Sequence, residues 1–228
     1  MSTATLTEAD IRVRDAVQRQ LEWDPSVDAS AVGVAALDGA VTLTGFIDSY
    51  RGKLAAERAA KRVRGVRAVA NDIDVRLKLA RTDADIASDV VRALELRSTI
   101  PETIQAVVHD AHVTLTGKAR WLFQKHDAER VVHHIRGVRG IQNYVTVTPE
   151  SVTKDVRHRI VEALHRNASV DAQHILVTVT GDTAVLTGTV ASLLQREAAE
   201  DAAAQAPGIA RVDNRIVVEP RERVDELC

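Results

Sequence analysis

A five-residue run, Val113-Thr114-Leu115-Thr116-Gly117, is written three times in this chain. It recurs as Val41-Thr42-Leu43-Thr44-Gly45 and as Ala184-Val185-Leu186-Thr187-Gly188. The closing glycines stand 72 and then 71 residues apart. A period of that size is a small domain, so the 228 residues divide into three copies of one unit rather than one or two unrelated domains. Units this small bury modest cores and are expected to lean on one another.

The residues around each run repeat as well. Val13, Val17 and Leu21, then Ile86, Val90 and Leu94, then Val156, Ile160 and Leu164 fall at four-residue spacing between polar neighbours, so each unit opens with an amphipathic helix. A polar break follows, with Pro25 and Pro101 in the first two units. Next come the alternating sets Val32, Val34 and Ala36; Ile104, Ala106 and Val108; and Ile175, Val177 and Val179, which predict a half-buried strand. Asp38-Gly39, Asp110-Ala111 and Gly181-Asp182 supply hairpin turns into the threefold run. Its glycines, Gly45, Gly117 and Gly188, are expected to end that strand as scaffold hinges.

A second helix is predicted over residues 48–64, 119–136 and 191–206. Its small-residue stripe is Ala56, Ala60 and Val63, then Ala128, Val132 and Ile135, then Ala199, Ala203 and Ala206, and Gly65, Gly137 and Gly208 stop it. A third strand is centred on Asn71, Asn143 and Asn214. Present in every copy, these amides read as scaffold, bonded to backbone beside the helix-stopping glycine. The order helix-strand-strand-helix-strand predicts an α+β fold of three tandem units, over residues 8–79, 82–148 and 151–219. Each would be a three-stranded mixed sheet with two helices packed on one face. The linkers, Leu79 to Thr82 and Thr148 to Ser151, leave too little slack for freely swinging units.

A net charge of −2 gives no general attraction to nucleic acid. Gly137-Val138-Arg139-Gly140 formally matches the Gly-x-x-Gly of KH modules, but it joins helix to strand rather than two helices. Cys228 is the one cysteine, so no internal disulfide forms. The polar start reads as a short lead rather than a secretory signal, and no run approaches the ~20 apolar residues of a membrane span. A cytoplasmic protein without a transmembrane segment is expected. His126 and His133 can share a helix side, and His109 and His112 flank a turn, but no spacing supplies a full metal-ligand set. Nor is a nucleophile paired with a base, so no enzyme is expected.

The joint pattern of Val-Thr-Leu-Thr-Gly, a helix, Gly-Val and an Asn-centred final strand resembles the BON domain, in three tandem copies across nearly the whole chain. The third copy departs slightly, with Ala184-Val185 heading its motif and Pro207-Gly208-Ile209 at its helix stop. The resemblance implies a non-enzymatic, stress-related binding or adaptor module that docks on anionic phospholipid headgroups, peripheral to the inner face of the membrane. It implies two alternatives: a cytoplasmic sensor binding potassium through turn carbonyls, with no other cofactor, and a chaperone-like protein with a protein client.

The residues that best suit lipid docking are Lys118, Arg120, Trp121, Phe123 and Lys125. They open the second helix of the middle unit, where cations oppose the helix dipole and fold stability does not ask for them. Rings beside cations suit a headgroup boundary. Lys61, Arg62, Arg64 and Arg67 around Gly65 are a second basic group, although cations at a helix C-terminus also complement the dipole. The competing expectation is that Trp121 and Phe123 fill a seam between units.

Overall fold

The computed structural model describes residues 7–76, 81–149, 155–167, 170 and 172–219. The lead before residue 7, part of both linkers, the tail from 220 and Cys228 lie outside them. The first unit runs α1 (Glu8–Trp23), β1 (Val32–Leu37), β2 (Ala40–Ile47), α2 (Tyr50–Arg62) and β3 (Ala68–Val75). The second runs α3 (Asp83–Glu95), β4 (Gln105–His109), β5 (His112–Thr116), β6 (Lys118–Ala119), α4 (Leu122–Val132), β7 (Gly140–Asn143) and β8 (Thr146–Val147). The third runs α5 (Val156–Arg166), β9 (Ile175–Thr180), β10 (Thr183–Val190), α6 (Leu193–Ala204) and β11 (Arg211–Val218). Side-chain caps fix four helix starts: Thr7 and Thr82 in capping boxes with Asp10 and Asp85, and Ser49 and Ser192 bonding the amides of Gly52 and Gln195.

Each hairpin is antiparallel, and its second strand pairs in parallel with the last strand of the unit, so every sheet is mixed. The helices cover one face. Val41, Leu43, Val113, Leu115, Ala184 and Leu186 are fully buried beneath them, and Ala56, Ala59 and Ala60 let α2 lie close to its sheet. Full burial of each leucine contributes about 1.5–3 kcal/mol. The turns at Asp38-Gly39 and Asp110-Ala111 have positive φ at both central residues, the conformation that matches strand twist.

Gly45 and Gly188 do not end their strands, because β2 and β10 run on to Ile47 and Val190. Both glycines have positive φ, and a Cβ on either would overlap a backbone carbonyl oxygen, of Ala31 and His174 respectively. Close approach of the chain entering the hairpin therefore demands glycine here. Only Gly117 interrupts the ladder, splitting the middle sheet into β4-β5-β7 and a short β6-β8 pair.

The second helices also join the units. Lys61 of α2 is bonded to Glu197 of α6. The ring of His133, at the end of α4, stands edge-on to Tyr50 at the start of α2, with centroids 5.7 Å apart. Asp201, in the latter half of α6, lies 3.7 Å from His126 in the first half of α4. Each contact sets the later part of one helix against the earlier part of its neighbour, so the three units close into a head-to-tail ring. The ring is not uniform. The first and third units share one buried apolar cluster, which also takes in Leu122 of the second, while the second keeps its own, with Tyr50 packed against it.

Candidate functional site

Where the three second helices meet, the repeat builds one polar device three times. Asn71 donates from Nδ2 to the Lys53 carbonyl (3.0 Å) and to Glu57 Oε2 (3.2 Å), and its Oδ1 accepts from the Ile73 amide. Asn143 does the same with Lys125, Glu129 and Val145, and Asn214 with Arg196, Glu200 and Ile216. The amide partner is thus a carbonyl within the second helix, not backbone beside its glycine stop. Each asparagine ties the last strand to the helix above it.

The carboxylates of these clamps line a polar cavity of 360 Å³ with Lys61, His126, His133 and Asp201. Burial pushes Glu57 up, but hydrogen bonds from Lys61 and Asn71 outweigh it and hold its carboxyl below the usual range. The His133 imidazole, 3.6 Å away, holds Glu129 below that range despite burial, with Asn143 assisting. His126 does the same for Asp201, again against burial. Burial pulls Lys61 down, yet its bonds to Glu197 and Glu57 leave it raised. The phenol of Tyr50 is raised by burial and by the charges of Glu129 and Glu57. The junction sets carboxylates of all three units against Lys61 and two histidines, and these contacts join the units.

The basic residues of the sequence fall into different places. Lys61 is largely covered and paired with Glu57 and Glu197, so it belongs to the junction and not to an outer surface. Arg62 lies 3.2 Å from Asp24. Arg64 and Arg67 are exposed just before β3. Lys118 sits toward the opposite end of its own sheet, paired with Thr146 past the point where β5 and β7 end, so the two basic groups occupy opposite ends of equivalent sheets.

At the start of α4, Lys118 and Arg120 are exposed, while Trp121, Phe123 and Lys125 are half-buried. The two rings touch at 6.1 Å, and the Arg120 guanidinium lies 5.9 Å from the indole centroid. Trp121 occupies the cap position held by Ser49 and Ser192, and no side chain caps α4 there. Gln124 instead accepts the amides of Arg120 and Trp121 with Oε1. Leu122, between the two rings in sequence, turns inward to the cluster shared by the outer units. Lys125 is less distinctive, because Lys53 and Arg196 stand at its position in the other units.

The BON domain model matches residues 9–76, 82–149 and 153–220. The chain belongs to the BON domain family. No curated protein matches it. Two similar solved structures are of CdsD, a structural protein of the type III secretion system of Chlamydia trachomatis. The one of its C-terminal domain is 15% identical with a TM-score of 0.27, covering 94% of this chain and 100% of that one. The other is 16% identical with a TM-score of 0.27, covering 91% and 92%. Among the described residues no helix is long and apolar enough to cross a membrane.

The sequence reasoning singled out the three asparagines but missed their carboxylate partners. A signal was there: a glutamate stands fourteen residues before each asparagine, at Glu57, Glu129 and Glu200.

Proposed function

We propose that this triple BON protein is a peripheral binding module that docks on anionic phospholipid surfaces through the start of α4. The observation that carries the reading is the replacement of a capping serine by Trp121, set against Phe123 and flanked by Lys118 and Arg120. A helix start favours a capping hydroxyl and disfavours cations, so this composition serves something other than the helix. Each cation near an anionic leaflet contributes about 1 kcal/mol, and the ring edges add interfacial contact. Lys118, Arg120 and Lys125 together give weak, salt-sensitive attachment that the aromatics strengthen. Lys61 takes no part, being committed to the junction.

Vesicle flotation tests this. Recovery with the lipid should require phosphatidylglycerol or phosphatidylserine, fall as salt is raised, and drop in Lys118→Gln/Arg120→Gln. Equal recovery with pure phosphatidylcholine contradicts it.

A further inference from the structure

The seam between the first and second units holds a cleft of 790 Å³. One wall is the start of α2, with Arg51 and Gly52, and the other is the end of α4 and the turn after it, with His133, His134 and Arg136. Arg81 closes a side, tied to Asp89 and to the Arg136 carbonyl. The seam is open because Tyr50 stands edge-on to His133 where Leu122 and Leu193, at the same position in the other units, sink into the shared core.

The charge in this cleft is one-sided. Arg51 and Arg136, one from each unit, have no ion-pair partner among the described residues. Among the described residues Asp48 is the one carboxylate in the lining, and it has a partner of its own. Arg51 is the second residue of α2, where a cation opposes the helix dipole, and the other units place Phe123 and Leu194 there. The first amides of α2 find no acceptor within the helix apart from the Ser49 hydroxyl that takes the Gly52 amide. Both ring nitrogens of His133, a residue that lines the cleft as well as the junction, are buried and lack a hydrogen-bond partner, with Nε2 still 3.6 Å from Glu129. Arginines on opposite walls, helix-start amides and an imidazole suit an oxyanion, and two arginines without ion-pair partners among the described residues match the two charges of a phosphate monoester.

We infer that the cleft between the first and second units binds a phosphate-monoester group, gripped by Arg51 and Arg136 across the seam and seated on the start of α2. The site is separate from the α4 start, and the same group reaches it on a soluble metabolite or on a phosphatidate headgroup. Backbone-amide NMR of the full chain, titrated with inorganic phosphate, reads it directly. The amides of Arg51 and Gly52 should shift with a Kd of about 1 mM or tighter, those of residues 118–125 should not, and Arg51→Gln/Arg136→Gln should weaken binding at least about tenfold. Both arginines are exposed, so the variant's unchanged melt in phosphate-free buffer confirms that it is folded. In the second arm, phosphatidylcholine vesicles carrying phosphatidic acid are floated with Lys118→Gln/Arg120→Gln, which weakens the α4 contribution. Flotation of that variant, lost when Arg51→Gln/Arg136→Gln is added, assigns a headgroup, whereas shifts with phosphate and no such flotation assign a soluble ligand. The inference is overturned if neither probe binds, or if the cleft variant binds both as the parent does.

Discussion

The starts of α6 and α4 occupy the same place in the repeat and are built differently. At α6, Ser192 caps the Gln195 amide, Gln195 Oε1 takes the Ala191 amide at 2.9 Å, and Leu193 enters the core shared by the first and third units. At α4, the glutamine bond and the inward leucine remain, but the cap is Trp121, followed by Phe123 in place of Leu194. The inward half meets what the ring requires, which leaves the outward half open to other uses. The start of α2 makes the opposite trade, keeping its serine cap and exchanging the inward leucine for Tyr50, so that its seam stays open.

The largest effect should separate a closed seam from the open one. Leu193→Ala removes a side chain from the core of two units and should cost about 2–4 kcal/mol in chemical denaturation, well above Tyr50→Ala at the half-buried seam. Equal costs would break the distinction between the seams. The asparagine clamps, by contrast, should behave alike. Asn143→Ala and Asn214→Ala each leave a helix carbonyl and a glutamate short of a donor and should each cost about 1–3 kcal/mol. A clamp needed in only one unit would mean that the repeat is not mechanically uniform.

A smaller effect is expected from acid. Glu57, Glu129 and Asp201 titrate below the usual carboxylate range in the folded ring, so their contribution is complete above the unfolded value of about 4 and is lost as pH falls through the lower folded values. Glu57→Gln should cost about 1 kcal/mol at neutral pH and less at pH 3, measured by thermal melts. A cost independent of pH would remove the charged junction from the account. Lys61 has the opposite sense. Its stabilisation is present below the unfolded lysine value of about 10.4 and fades as pH rises through the folded one above it.

Much of the fold was legible because the pattern is local. Helix stripes, hairpin turns and the helix-stopping glycines each declare themselves within a few residues, and the threefold copy removes ambiguity. Gly45 misled because its constraint comes from the Ala31 carbonyl, fourteen residues earlier, rather than from a bend in its own strand. Ring closure was not legible, because Leu122 looks like an ordinary core position of its own unit until the neighbour is in place. At the candidate surface, the odd composition of residues 118–125 could be read from the repeat. Half-burial of Trp121 and Phe123, and the withdrawal of Lys61 into the junction, depend on packing that one unit alone does not specify.

Trp121→Ser gives α4 the cap that its sister helices have, and so separates the two demands on that position most directly. The variant should melt higher, by about 0.5–1 kcal/mol of added stability, and should lose flotation with phosphatidylglycerol vesicles. A variant that is less stable yet floats as the parent does would show that the indole serves packing and not the membrane surface, and would contradict the account.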